Sequence, residues 1–182
     1  MCIRDSNNSL RKHLDVLNQK IHKHDYGEFI LIDVNRIFTN ILSSFKAFVD
    51  HFDAKIKKYY GEKSYQYKQV KSILSEYYDK YFNYRLICEL RNYSQHFNYV
   101  IQKVNFEQSN IDGNSILKPY LDRDLLLKDE RIRKKLGHEL RMYNNLFPID
   151  EIIFSLQNIL EKLTDKLLLV EICLLYTSPS PR

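Results

Sequence analysis

From Glu28 to Tyr60 the chain runs without a single glycine or proline. Through that stretch Ile30, Val34, Ile37, Ile41, Phe45, Phe48, Phe52 and Ile56 recur at intervals of three or four. Such spacing lines them along one side of an α-helix, because the helical repeat is 3.6 residues. Gly61 is placed to stop it. A helix this long, with phenylalanines on more than one face, predicts a bundle spine or a dimer surface. The chain has four glycines and four prolines against fourteen tyrosines and ten phenylalanines. That is too few turn residues for a sandwich of many short strands.

The remaining segments fit around the spine. Leu10, Leu14, Leu17 and Ile21 predict a helix over residues 9–24, capped by Asn8 or Ser9 and punctuated by Gly27. A further helix is expected from about Ser64, with Val70, Ile73, Leu74, Tyr77 and Tyr81 inward and a bend near Phe82–Asn83. Leu86, Leu90, Tyr93 and Phe97 form the next stripe. The period then changes. Residues 99–107 and 115–127 read as a hairpin turned at Asp112-Gly113, with Pro119 arguing for an edge strand. Residues 129–144 read as a charged helix or an irregular one, with Gly137 in its middle. Pro148 is expected to open a last helix with Ile152, Ile153, Leu156, Leu160, Leu163 and Leu167 inward. The predicted class is mainly α: a four- to five-helix bundle with a small β-hairpin inserted before the C-terminal helix.

At 182 residues the chain is expected to form one domain. Its two ends, 1–6 and 173–182, resemble translated sequencing-adapter read-through and are set aside, leaving 7–172 as the single helical domain. Flanking domains stay open. The trim lowers the formal charge from +5 to roughly +4 and removes Cys2 and Cys173. Cys88 alone cannot form an intramolecular disulfide, so a reducing cytoplasm is expected. The first thirty residues hold no apolar signal core, and the run from Leu167 to Leu175 is too short to span a bilayer and contains Glu171. No membrane partner is expected.

Several chemistries have no foothold here. There is no phosphate-binding glycine loop, no CxxC pair and no HExxH. His22 and His24 sit on a lysine-flanked helix end, and His13, His51 and His138 lack a partner at ligand spacing; all five read as surface residues. No metal and no cofactor are expected.

One segment stands apart: Glu89-Leu90-Arg91-Asn92-Tyr93-Ser94-Gln95-His96-Phe97. Asn92 and His96 lie four apart, one above the other on the flank of the apolar stripe. Arg91, five before His96, points about 140° away from it. The two converge only if the helix bends, if the arginine reaches around, or if a second copy supplies the partner. The residue types suit phosphodiester chemistry. An imidazole can take a proton from a ribose 2′-OH or give one to the leaving 5′-oxygen. A guanidinium can fork onto phosphate oxygens and offset the charge that grows in the transition state. An amide at Asn92 can orient His96 or bind the ribose.

Arg91-Asn92-x3-His96 resembles the motif of the HEPN superfamily, an Arg-x4–6-His with a polar residue commonly next to the arginine. The string Leu90-Arg91-Asn92-Tyr93-x-Gln95-His96 is also similar to a group of bacterial HEPN-like proteins. The resemblance implies a helical homodimer with a composite cleft and a metal-independent endoribonuclease of the kind found in toxin–antitoxin, abortive-infection and CRISPR defence. It implies Arg91, Asn92 and His96 as the site, RNA as substrate, and an antitoxin or other protein as partner. Arg133-x4-His138 and Arg131-x6-His138 satisfy the bare spacing too, but Lys134 and Ile132 stand where the polar follower belongs.

Charge adds a second candidate. Lys55, Lys57, Lys58 and Lys63 cluster where the long helix ends, and Arg131, Arg133, Lys134 and Lys135 form another run. Either can meet a phosphate backbone, and Tyr59, Tyr60, Tyr65 and Tyr67 can stack on bases. Two alternatives stay open. The trio can instead be a polar flank, with Arg91 paired to Glu89 or Glu62. The chain can also be a catalytically silent helical module that dimerises through the long helix and binds a protein or nucleotide.

Overall fold

The computed structural model describes residues 27–96, 99–108 and 115–177. The helix expected over 9–24, Phe97, the Asp112-Gly113 turn and the segment 1–6 lie outside the described residues.

Helix α1 spans Gly27–Tyr60, about 50 Å of continuous spine. Ile30, Val34, Ile37, Ile41, Phe45 and Ile56 are buried as their spacing requires, and Phe48 and Phe52 pack half-buried against the same core. Phe38 and Leu42 are fully buried as well, so the middle of α1 is covered across a wide arc. Gly61 ends the helix at φ +83°, a left-handed conformation open to glycine, and its N–H closes on the Lys57 carbonyl at 2.9 Å. Ser64 then caps α2 (Tyr65–Lys80) by accepting from the Tyr67 N–H at 3.1 Å.

The chain breaks at Tyr81, one residue before the expected bend, and restarts as α3 (Phe82–His96). Arg85 fastens the break: Nη1 donates to the carbonyls of Tyr78 (2.9 Å) and Asp79 (2.5 Å). Helices α2 and α3 lie end to end along the spine and antiparallel to it. Tyr67 and Lys71 meet Asp53, Tyr84 sets its ring edge-on to Phe45 at 4.9 Å, and the segment after α3 meets Asn35.

Strands β1 (Lys103–Gln108), β2 (Ser115–Asp122) and β3 (Leu146–Pro148) form one antiparallel sheet in that order. The hairpin is thus real but shorter than expected. Asp122 leaves β2 by accepting from the Leu125 N–H at 3.0 Å, which caps a short helix, α4 (Arg123–Leu126). Pro119 lies in the central strand of the sheet, not in an edge strand. It is tolerated because β3 covers only Tyr120 to Asp122, so β2 is paired on one side alone where Pro119 sits.

Helix α5 covers Glu130–Leu140, capped by Asp129, and is shorter than the expected 129–144. Pro148 closes β3, and α6 (Ile149–Thr177) follows at once. All six residues expected inward on α6 are buried. The fold is mainly helical, with a small three-stranded sheet and, among the described residues, six helices. No helix among the described residues is long and apolar enough to cross a membrane.

Cys88 sits half-buried on α3, and burial pushes its thiol up to about 11. Only about 0.1 % of such a thiol is thiolate at pH 8, some 100-fold less than an ordinary one. Iodoacetamide at pH 8 is therefore expected to label the peptide carrying Cys88 about 100-fold more slowly in the native chain than in urea. Equal rates would show that the thiol is not shielded.

Candidate functional site between α3 and α5

At 100° per residue, Arg85, Glu89, Asn92, Tyr93 and His96 fall within one sector of α3 about 100° wide. Helix α5 packs antiparallel against that sector. Arg85 Nη2 donates to Glu139 Oε1 at 2.7 Å. One turn on, Lys135 Nζ donates to Glu89 Oε1 at 2.6 Å. A further turn brings Asn92 and Tyr93 beside Asp129, Arg131 and Ile132, which together with Glu89 line a shallow surface crevice. Glu89 is only 4 % exposed, and its charge is met by Lys135. The Lys135 ammonium is held above its ordinary range by its hydrogen bond to Glu89. One oxygen of Asp129, Oδ1, accepts from the backbone N–H groups of Arg131 (2.9 Å) and Ile132 (3.0 Å).

Asn92 is half-buried and His96, the last residue of α3, is exposed. Both belong to the α5-facing sector. Arg91 leaves the helix on another side, yet its guanidinium turns back: Nη1 donates to Asn92 Oδ1 at 3.4 Å. Its Nε is buried without a hydrogen-bond partner. The carboxylates open to it by sequence are taken, Glu89 by Lys135 and Glu62 by Lys57 at 3.0 Å. Arg91 has no ion pair among the described residues. Helix α3 is unbroken from Phe82 to His96, so a bend does not bring Arg91 and His96 together.

The lysine cluster lies elsewhere. Lys55, Lys57 and Lys58 end α1 and Lys63 follows in the turn, about 30 Å along the spine from the level of Arg91. Lys57 is paired to Glu62, while Lys58 and Lys63 are exposed beside Tyr59 and Tyr65, each 70 % exposed. Tyr60 is half-buried, and Tyr67 is a core residue rather than a stacking platform. In the second basic run, Lys134 pairs with Glu130 at 2.8 Å and Lys135 with Glu89. His51 and His138 are exposed, as expected of surface residues; His13, His22 and His24 lie outside the described residues. No group of three or more His, Cys, Asp or Glu side chains placed to hold a metal ion is found among the described residues.

Sequence reasoning missed the α3–α5 pairing. The signal was present as opposite charges at matched steps of four: Arg85 and Glu89 on one helix, Glu139 and Lys135 on the other. No family model, no curated protein and no solved structure matches the chain.

Proposed function

We propose that this chain is a metal-independent endoribonuclease of defence or toxin type, acting in the cytoplasm as a homodimer under the control of an antitoxin or other protein partner. The observation that carries the reading is Arg91. It keeps a buried Nε without a hydrogen-bond partner and is without a carboxylate among the described residues. A buried donor left unmet costs free energy until an acceptor arrives, and a guanidinium suits a phosphate oxygen best. Asn92 ties that guanidinium to the flank that carries His96.

In this reading His96 takes the proton of the 2′-OH, and the 2′-oxygen attacks the adjacent phosphorus. The P–O5′ bond breaks, the protonated imidazole gives that proton to the leaving 5′-oxygen, and a 2′,3′-cyclic phosphate remains. Arg91 offsets the charge on the phosphoryl oxygens, and Asn92 orients the partners. Side chains supply the proton transfer and the cation that the steps require. Arg91 reaches round the unbroken helix only as far as Asn92, and in this reading a second copy supplies the arginine that faces each histidine. Lys58 and Lys63, with Tyr59 and Tyr65, are a separate contact for the RNA strand.

The test is cleavage of single-stranded RNA in EDTA. The wild-type protein is expected to cut, and His96→Ala to lose at least about 100-fold in rate. Cutting that persists in the variant would remove His96 from the chemistry. The divergence of Arg91 and His96 also fits a catalytically silent helical module; RNA bound tightly but never cut would favour it.

A further inference from the structure

The α3–α5 ladder steps by one turn on each helix, from Arg85–Glu139 to Glu89–Lys135. The next step reaches Tyr93 and Arg131, which line one crevice with Asn92. Asn92 and His96 share that side of α3, so α5 brings Arg131 to the side of the helix that carries them within a single chain. Arg91 lies around the other side.

We infer that Arg131 is a phosphate-binding residue for single-stranded RNA, holding a phosphodiester at the mouth of the α3–α5 crevice beside Asn92. The inference rests on the ribonuclease reading above and gives the site a second cation. Two carboxylates, Glu89 and Asp129, line the crevice with Arg131. Glu89 is neutralised by Lys135, and Asp129 is bound to the first-turn amides of α5. Arg131 itself is exposed, and its backbone N–H is fixed by Asp129. Each cleft of the dimer then holds Asn92, His96 and Arg131 from one copy and Arg91 from the other.

Two measurements on the full-length protein test this. The first is cleavage of single-stranded RNA by Arg131→Gln, with Arg131→Lys beside it and the melting temperature as a folding control. Arg131→Gln is expected to lose about 10- to 100-fold in kcat/KM, with Arg131→Lys recovering part of it and the melting temperature unchanged. The second uses a 2′-O-methyl oligonucleotide, which cannot be cut, followed by NMR at the Asn92 side-chain amide. A shift of that amide that disappears in Arg131→Gln is expected, with a log–log salt slope of binding shallower by about 0.7. Wild-type cleavage and binding rates in Arg131→Gln would overturn the inference while leaving the ribonuclease reading in place. A wild-type protein that shifts at Asn92 but never cuts RNA would overturn the ribonuclease reading and leave the phosphate site standing. An Asn92 amide untouched by the oligonucleotide would overturn the site itself.

Discussion

Asn35→Ala is expected to cost about 3 kcal/mol of folding free energy. Asn35 is 2 % exposed on α1. Its Nδ2 donates to the Leu31 carbonyl at 2.9 Å and to the Ile101 carbonyl at 2.7 Å, and its Oδ1 accepts from the Ile101 N–H at 2.8 Å. Both backbone groups of Ile101 are thus satisfied by one side chain, in a segment where Val100 and Ile101 are fully buried. Alanine removes both partners and leaves a buried donor and a buried acceptor, each costing about 1–3 kcal/mol. Asn35→Asp keeps the acceptor but sets a carboxylate against the Ile101 carbonyl, so it is not expected to rescue. Urea unfolding at neutral pH reads the effect, and a loss below about 1 kcal/mol would show that water replaces the amide.

The second large effect is expected at the α3–α5 seam. Lys135→Met leaves the Glu89 carboxylate buried without its cation, and a loss of about 2–3 kcal/mol follows. The lower end reflects Lys135, whose side chain is half exposed and partly screened. Adding Glu89→Gln to Lys135→Met removes the stranded charge, so the double variant is expected to recover most of the loss. Additive losses in the two single variants would contradict the pairing. The pH dependence has a definite sign. Glu89 holds the Lys135 ammonium above its ordinary range, so the contribution is whole below the unfolded lysine pKa and fades as pH rises past 10. Burial also pushes the Tyr84 hydroxyl and the Cys88 thiol upward. Both hold their protons longer in the folded state, so stability again falls on the alkaline side.

The helices were legible in the sequence because their apolar periods run long without interruption. α1 starts and stops within a residue of its expected bounds, since Gly61 must take a conformation that few other residues adopt. The sheet was legible only in part. β3 is three residues long, and a pattern of period two needs more than that to register. Pro148 marks the start of the last helix to within one residue, but proline also suits the end of an edge strand, which hides its place in β3. Pro119 suggests an edge strand by itself, and the sequence gives no view of how far a third strand extends. Within the site, the shared flank of Asn92 and His96 and the divergence of Arg91 follow from helical geometry alone. What faces them does not: Arg131 lies 39 positions after Asn92, and only tertiary packing reveals that both line one crevice.

The shared cleft is tested most directly by mixing Arg91→Ala with His96→Ala after each has been shown inactive on single-stranded RNA. If Arg91 of one copy serves His96 of the other, half of the randomised dimers carry one intact site, and the mixture is expected to regain about a quarter of wild-type activity. A mixture no more active than either variant alone would contradict the composite Arg91–His96 cleft.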